Sequence, residues 1–336
     1  MRKIWESDPW YNLLRIYVDF ATQRSYRRIS STGSLPADGA VIISPNHTNT
    51  LLDALVVLQS RKEPTVFGAR ADIFKKPAVD RILRFLRILP MVRSRDGIRE
   101  VLHNRESFEE VEDTLEHRIP FCIFSEGRHR PMHSLLPLQK GVARLAFASA
   151  EKQQTYIVPA GIDYSDFFHY RGTCDLKYGE PIDINRFLAE RSGQTPAEVY
   201  RALLEELSAR MKKLILYIPD DEHYEETWQA IQQQRRKKRP WKWPLAILTL
   251  PFFLLSALLT LPMWGTAEYL CKKKIKDHAF WNTARCMARI VGGPIMLIIW
   301  SILFFILLPV PIAIGLLVYF LVSYDIFYDW LNLVRE

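Results

Sequence analysis

Residues 40–53 read A-V-I-I-S-P-N-H-T-N-T-L-L-D, and this stretch decides the fold. Val41-Ile42-Ile43 is a short β-branched run of the kind that forms a buried strand, and a helical pattern of apolar residues begins at Leu51. A strand that gives way to a helix leaves the turn between them at a sheet edge, open to a substrate. His47 stands in that turn, with Asp53 after five intervening residues. An aspartate one or two turns along can accept one imidazole N–H, fix the tautomer and stabilise the imidazolium, which nominates His47 as a general base. A loop histidine beside a helix-capping acid has the same local appearance, so the pair gains meaning only from the rest of the chain.

Outward from this turn, Leu51, Leu55 and Leu58 are expected to form the apolar face of a helix over 48–62. Further strands are expected at 65–69, 89–92, 120–126, 156–162 and 176–182. Helical runs separate several of them, notably 107–117 and 140–152, and a helix broken by Pro77 is expected over 71–88. Strands alternating with helices imply an α/β fold: a central, mostly parallel or mixed sheet flanked by helices. Residues 9–29 alternate apolar and basic residues at helical spacing but carry too much charge to span a bilayer, so an interfacial amphipathic helix is expected there. The expected organisation is an interfacial helix over 1–30, an α/β domain over 31–192, a helical connection over 193–240 and membrane-embedded helices over 241–336.

The mean hydropathy near zero averages two unlike parts. Long apolar runs at 244–264 and 290–322 read as membrane segments, and Pro309-Val310-Pro311 divides the second into two spans, a hairpin that keeps both flanks on one side. The net charge of +8 is concentrated beside them. Arg235, Arg236, Lys237, Lys238, Arg239 and Lys242 precede the first run, and Lys272, Lys273, Lys274 and Lys276 follow it. Clusters in these positions bind anionic headgroups, so membrane lipids rather than nucleic acid are the expected partner. A full crossing by 244–264 would put the second lysine cluster on the outer side, against the positive-inside tendency; a re-entrant or interfacial segment removes the conflict. Cys122, Cys174, Cys271 and Cys286 form no C-x-x-C pair and no zinc pattern, so free thiols in a reducing compartment and no metal are expected. No apolar signal region follows Met1, so the catalytic domain is expected on the cytoplasmic face.

Two further stretches bear on chemistry. Phe124-Ser-Glu-Gly-Arg-His-Arg130 follows a strand, and its Arg128 and Arg130 can fork onto phosphate oxygens. Leu89-Pro-Met-Val-Arg93 ends another strand-like run in arginine. Strands lying side by side would bring Arg93, Glu126 and His47 to one edge.

In this order, N-H-x5-D, I-L-P-M-V-R, F-S-E-G-R and I-V-P-A-G over residues 40–182 resemble the four blocks of the glycerophospholipid acyltransferase family. The resemblance implies His47 and Asp53 as the catalytic dyad. It places Arg93, Glu126, Gly127, Arg128 and Arg130 around a glycerol phosphate, and Asn46, Lys140 and Pro159 on the acyl-donor side. It implies transfer of a fatty acyl group from acyl-CoA or acyl carrier protein, co-substrates rather than cofactors, to glycerol-3-phosphate or its 1-acyl form, with acyl carrier protein as a second partner. Acylation of another lyso-lipid is the alternative acceptor reading, and a non-catalytic lipid-binding protein is the alternative of another class. The interval of five residues is longer than the four common in the family and is similar to the yeast-type glycerol-3-phosphate/dihydroxyacetone-phosphate branch. One extra residue rotates an ideal helix by about 100°, so the turn before the helix has to compensate for the dyad to form. Ser125 replaces the usual proline of the third block, Arg128 stands where serine or threonine is common, and the second block lacks its usual glycine.

Overall fold

The structure is a computed structural model that describes residues 3–91, 98–235 and 241–335. Arg93 and the basic run 236–239 therefore lie outside the described residues. The sheet contains β1 (Arg28–Thr32), β2 (Ala40–Pro45), β3 (Val66–Arg70), β4 (Ile88–Met91), β5 (Phe121–Cys122), β6 (Thr155–Tyr164), β7 (Thr173–Tyr178) and β8 (Ile182–Asp183). Its order is β1-β7-β6-β2-β5-β3-β4, with β8 also on β6. β2 lies parallel to both β5 and β6, and β3 parallel to β4 and β5, whereas β6 is antiparallel to β7 and β8. It is a mixed sheet with a parallel centre, and all six residues of β2 are buried. Burial on both faces is what a parallel strand between helical layers requires, and the unbroken apolar run Val41-Ile42-Ile43 supplies it.

The helices are α1 (Pro9–Arg24), α2 (Leu51–Gln59), α3 (Pro77–Phe85), α4 (Ile98–Glu116), α5 (Gly141–Ala150), α6 (Ile184–Ala189), α7 (Pro196–Lys212) and α8 (Tyr224–Arg235). One face of the sheet packs Ile42, Phe121 and Ile157 against Leu115, Leu145 and Leu203 from α4, α5 and α7. The other packs Ile43 and Val158 against Val56 and Val57 of α2. Gly161 in β6 lets the chain after α7 come close: a Cβ there would lie 2.5 Å from Cβ of Leu214.

Three local expectations are corrected. The helix over 9–29 ends at Arg24, and Arg28–Thr32 is the edge strand β1. The single strand over 176–182 is two, separated at Gly179-Glu180-Pro181, where Pro181 cannot donate to a ladder. The buried face of α2 is Leu52, Asp53, Val56 and Val57 rather than Leu51, Leu55 and Leu58. This helix is covered on two sides: Val56 and Val57 meet the sheet, while Leu52 joins a cluster formed by the C-terminal helices.

Those helices are α9 (Lys242–Leu259), α10 (Leu261–Lys273), α11 (Trp281–Met287), α12 (Gly293–Leu307) and α13 (Val310–Arg335). A π-helical stretch, Ala288–Gly292, joins α11 to α12. Lys242–Leu259, His278–Leu307 and Val310–Arg335 are each long and apolar enough to cross a membrane, and most of their apolar side chains point outward. This is a membrane protein. The break between α12 and α13 falls at Leu308-Pro309, because Pro309 cannot extend the preceding helix and disfavours a helical Leu308. α9 runs antiparallel to α13: Trp330 donates to the Ala246 carbonyl at 3.1 Å, and Tyr319 to that of Phe252 at 2.7 Å. The C-terminal end of α13 is at the α/β domain, where Asn332 donates to the Tyr170 carbonyl at 2.8 Å. At the far end of α10, Asp277 meets His129 at 2.7 Å. Both ends of the α9–α10 pair therefore lie at the α/β domain, and the lysine cluster 272–276 stays on that side.

Candidate functional site

The site is made where β2 and β5 end side by side. At the end of β2, the Asn46 side chain locks onto β6, donating to the Ile162 carbonyl at 3.0 Å and accepting from its N–H at 2.6 Å. The turn then passes through Thr50, whose φ of 51° lies in the left-handed region. A β-branched residue is rarely found there. Beyond this position Asp53 faces back toward His47.

Asp53 sits in the first turn of α2 and is completely buried. Its Oδ2 accepts from the backbone N–H groups of Thr48 and Asn49, each at 2.8 Å, and lies 2.7 Å from Nδ1 of His47. Its Oδ1 accepts from the Tyr164 hydroxyl at 2.8 Å. Amides at a helix N-terminus favour a negative group, so the carboxylate serves as cap and as imidazole partner together. The contact with Asp53 engages Nδ1, the ring nitrogen nearer the backbone. The His47 ring stacks on Phe124, centroids 4.2 Å apart, and meets His129 edge to face at 5.7 Å.

The loop after β5 is bound to this turn. Glu126 is buried, with Oε1 accepting from His47 N–H and Oε2 from Leu136 N–H, each at 2.8 Å. Arg130 N–H returns to the His47 carbonyl at 3.0 Å, and the hydroxyls of Ser44 and Ser125 meet at 2.6 Å. Burial pushes the Glu126 carboxyl up to about 7, against the lowering pull of its two backbone donors and of His47. Gly127 has a φ of +69°, and a Cβ there would press on Gln139 at 3.1 Å, so glycine suits the turn that aims Glu126 inward.

The structure thus brings His47, Asp53, Asn46, Glu126 and Gly127 into one connected unit, in which Glu126 holds the turn that carries His47. Arg128, one residue before His129, is exposed, and the Arg130 guanidinium is engaged by Asp220 and, at 2.7 Å, by Ser134. Pro159 is buried in β6 opposite Ser44 of β2, and Lys140 is exposed just before α5. Sequence reasoning missed Tyr164, Phe124 and His129. Of these, Tyr164 carries a faint signal, being spaced to share a strand face with Ile162.

A family profile described as Acyltransferase matches residues 27–163, a span that contains His47, Asp53 and the Glu126 loop and ends one residue before Tyr164. These residues form an acyltransferase domain. Two relatives from Saccharomyces cerevisiae align with the chain. Glycerol-3-phosphate O-acyltransferase 2 is 31% identical over 146 residues, covering 43% of this chain and 19% of the relative. Glycerol-3-phosphate O-acyltransferase 1 is 28% identical over 134 residues, covering 38% and 17%. The alignments thus span under a fifth of either relative. Among solved structures, the 1-acyl-sn-glycerophosphate (LPA) acyltransferase PlsC from Thermotoga maritima is 20% identical, with a TM-score of 0.43 over 60% of this chain and 78% of that one.

Proposed function

We propose that this protein transfers a fatty acyl group from an acyl thioester, acyl-CoA or acyl carrier protein, to a hydroxyl of glycerol-3-phosphate or 1-acyl-glycerol-3-phosphate. The observation that carries this is the His47–Asp53 contact of 2.7 Å, which commits Nδ1 and frees Nε2 in a family domain whose yeast relatives are named for glycerol-3-phosphate. Nε2 takes the hydroxyl proton as the acceptor oxygen attacks the thioester carbonyl. The tetrahedral oxyanion then collapses, the C–S bond breaks, and the imidazolium returns its proton to the leaving thiolate. A thioester is already activated, so no protein nucleophile is needed. General-base help of this type contributes roughly 10²- to 10⁴-fold.

Arg128, exposed and one residue before His129, is the described cation assigned to an incoming phosphate. Arg93 shares that task, with Arg130 available on leaving Asp220. Asn46, Lys140 and Pro159 flank the donor side. Membrane lipids are the partner of the C-terminal helices, and the domain faces the cytoplasm, where the thioesters are made. The exposed Trp10, Leu13, Ile16 and Phe20 of α1 rest on the bilayer surface.

The test is an assay of purified protein with labelled acyl-CoA and acyl carrier protein against glycerol-3-phosphate, its 1-acyl form and other lyso-lipids, with His47→Ala in parallel. Turnover on a glycerol phosphate that is lost in His47→Ala is expected. Near-normal turnover in that variant would sink the mechanism, and activity confined to other lyso-lipids would replace the acceptor.

A further inference from the structure

One wall of the His47 site comes from outside the matched span 27–163. The segment after α10 reaches back and touches both loops of the site. Asp277 accepts from Nε2 of His129 through Oδ2 at 2.7 Å and from the N–H of Ala279 through Oδ1 at 3.0 Å. The second bond makes it the cap of the short helical turn His278–Phe280. Phe280 lies edge-on to His129, centroids 5.1 Å apart. Two residues of the next turn anchor the segment: the Thr283 hydroxyl meets that of Thr50 at 2.7 Å, and Asn282 donates to the Phe167 carbonyl at 2.9 Å. At Asp277 burial opposes ionisation, but the bonds from His129 and Ala279 overcome it and hold the carboxyl below its usual range.

These contacts bear on the orientation of the base. The bond to Asp53 fixes His47 at one ring atom, which leaves the plane of the imidazole to be set by its neighbours. Phe124 covers one face at an interplanar angle of 23°, and His129 stands nearly perpendicular at 82°. His129 has no ring hydrogen bond to the α/β domain among the described residues; its ring bonds to Asp277. We propose that His129, held by Asp277 of the C-terminal membrane region, is a positioning residue for His47, so that the catalytic site is complete only with that region docked. This rests on the reading of His47 as the base. An error of about 1 Å at a reacting group costs on the order of 10²-fold, so a neighbour that fixes the ring is worth a measurable part of kcat.

The experiment uses the full chain in vesicles of phosphatidylethanolamine and phosphatidylglycerol, with Asp277→Ala, Asp277→Asn, His129→Ala, the His129→Ala/Asp277→Ala double variant and His47→Ala. The expected result is a roughly 10- to 100-fold loss of kcat in Asp277→Ala and His129→Ala, with KM for both substrates within about twofold. The double variant should be no worse than either single, because both remove one linkage. Asp277→Asn keeps an acceptor oxygen and should recover most of the turnover, which loss of folding would not predict. Vesicle flotation and the thermal midpoint should stay at wild-type values. If Asp277→Ala fails to fold, His129→Ala and Asp277→Asn decide the matter. A wild-type kcat in His129→Ala, a rise in KM without loss of kcat, or losses that multiply in the double variant would overturn the proposal. If His47→Ala stays active, the base reading itself fails and takes the pair with it; if His47→Ala is silent and His129→Ala is normal, only the pair fails.

Discussion

The α/β domain and the C-terminal helices distribute their polar and apolar groups in opposite senses. In the domain, Ile42, Ile43, Phe121, Leu145 and Ile157 are fully buried. In the C-terminal helices, Ile306 is 74% exposed and Ile298, Leu307, Ile312 and Val318 are also on the surface, while Arg285, Arg289 and Asp325 are buried. Lipid as the surrounding medium accounts for the inversion: apolar side chains can face it, and charges within such segments have to turn inward and pair. Here they pair with the domain or next to it. Asp325 is held by Arg289 and by Arg24 of α1, and Arg171 reaches it at 3.5 Å. Arg171 and Arg27 both bind Asp329. The buried charges of the C-terminal region therefore serve as its dock on the domain, while two buried carboxyls of the domain, Asp53 and Glu126, hold His47.

The sharpest way to separate the two roles is at the two aspartates. Asp53→Asn keeps the shape of the side chain, but its amide can present an N–H to a position that needs an acceptor, turning His47 to the wrong tautomer. By analogy with orienting acids elsewhere, turnover should fall by roughly 10³- to 10⁴-fold. Thermal stability and vesicle association should change far less. Residual activity within tenfold of wild type would show that His47 does not depend on this acid.

Asp325→Ala attacks the dock instead. Removing one member of a buried ionic group leaves the arginines without their partner, which costs about 3–5 kcal/mol. The expected outcome is a lower thermal midpoint in detergent. Unchanged stability would mean that apolar packing alone joins the two regions.

A smaller effect belongs to Glu126, where the domain also buries a carboxyl. Its folded-state value of about 7 lies above the ordinary 4.5, so the folded protein binds this proton more tightly than the unfolded chain. The contribution to stability is full below about 4.5 and is lost as pH rises through about 7, at most about 3 kcal/mol across that window. Glu126→Gln has no such titration. Between pH 4.5 and 7.5 the wild type should lose about 3 kcal/mol of unfolding free energy relative to Glu126→Gln, and parallel profiles would contradict the shift.

What the sequence made legible follows the same division. The central strands and the dyad declare themselves because each is local: a β-branched run, then a histidine and an acid on one turn. β1 was hidden because its residues, Arg-Ile-Ser-Ser-Thr, form a polar edge strand without an apolar alternation. The two-sided burial of α2 was hidden because one of its sides is covered by residues more than two hundred positions away. His129 and Asp277 stand 148 residues apart, and no local period links them. The positive φ at Thr50 is likewise a property of the folded turn, since threonine gives no sign of a left-handed backbone.

The smallest expected effect tests where the inversion begins. α1 is amphipathic, with Tyr11 and Arg15 turned inward and Trp10, Leu13, Ile16 and Phe20 outward. Tyr17 ties it to the root of α12 through the Ile290 carbonyl at 3.0 Å, so its outward face borders the lipid-facing helices. On its other flank Tyr11 meets Phe85 of α3, where Ile82 and Val79 are also exposed beside Lys75, Lys76 and Arg81. A row of exposed apolar side chains with a basic rim is suited to the headgroup boundary of an anionic bilayer. An environment-sensitive dye placed at Trp10→Cys or Ile82→Cys should shift to the blue on vesicle binding, while the same dye at Lys177→Cys on β7 should not. A water-like spectrum at all three positions would confine lipid contact to α9–α13 and would place the inward-to-outward reversal at the domain boundary instead of within α1.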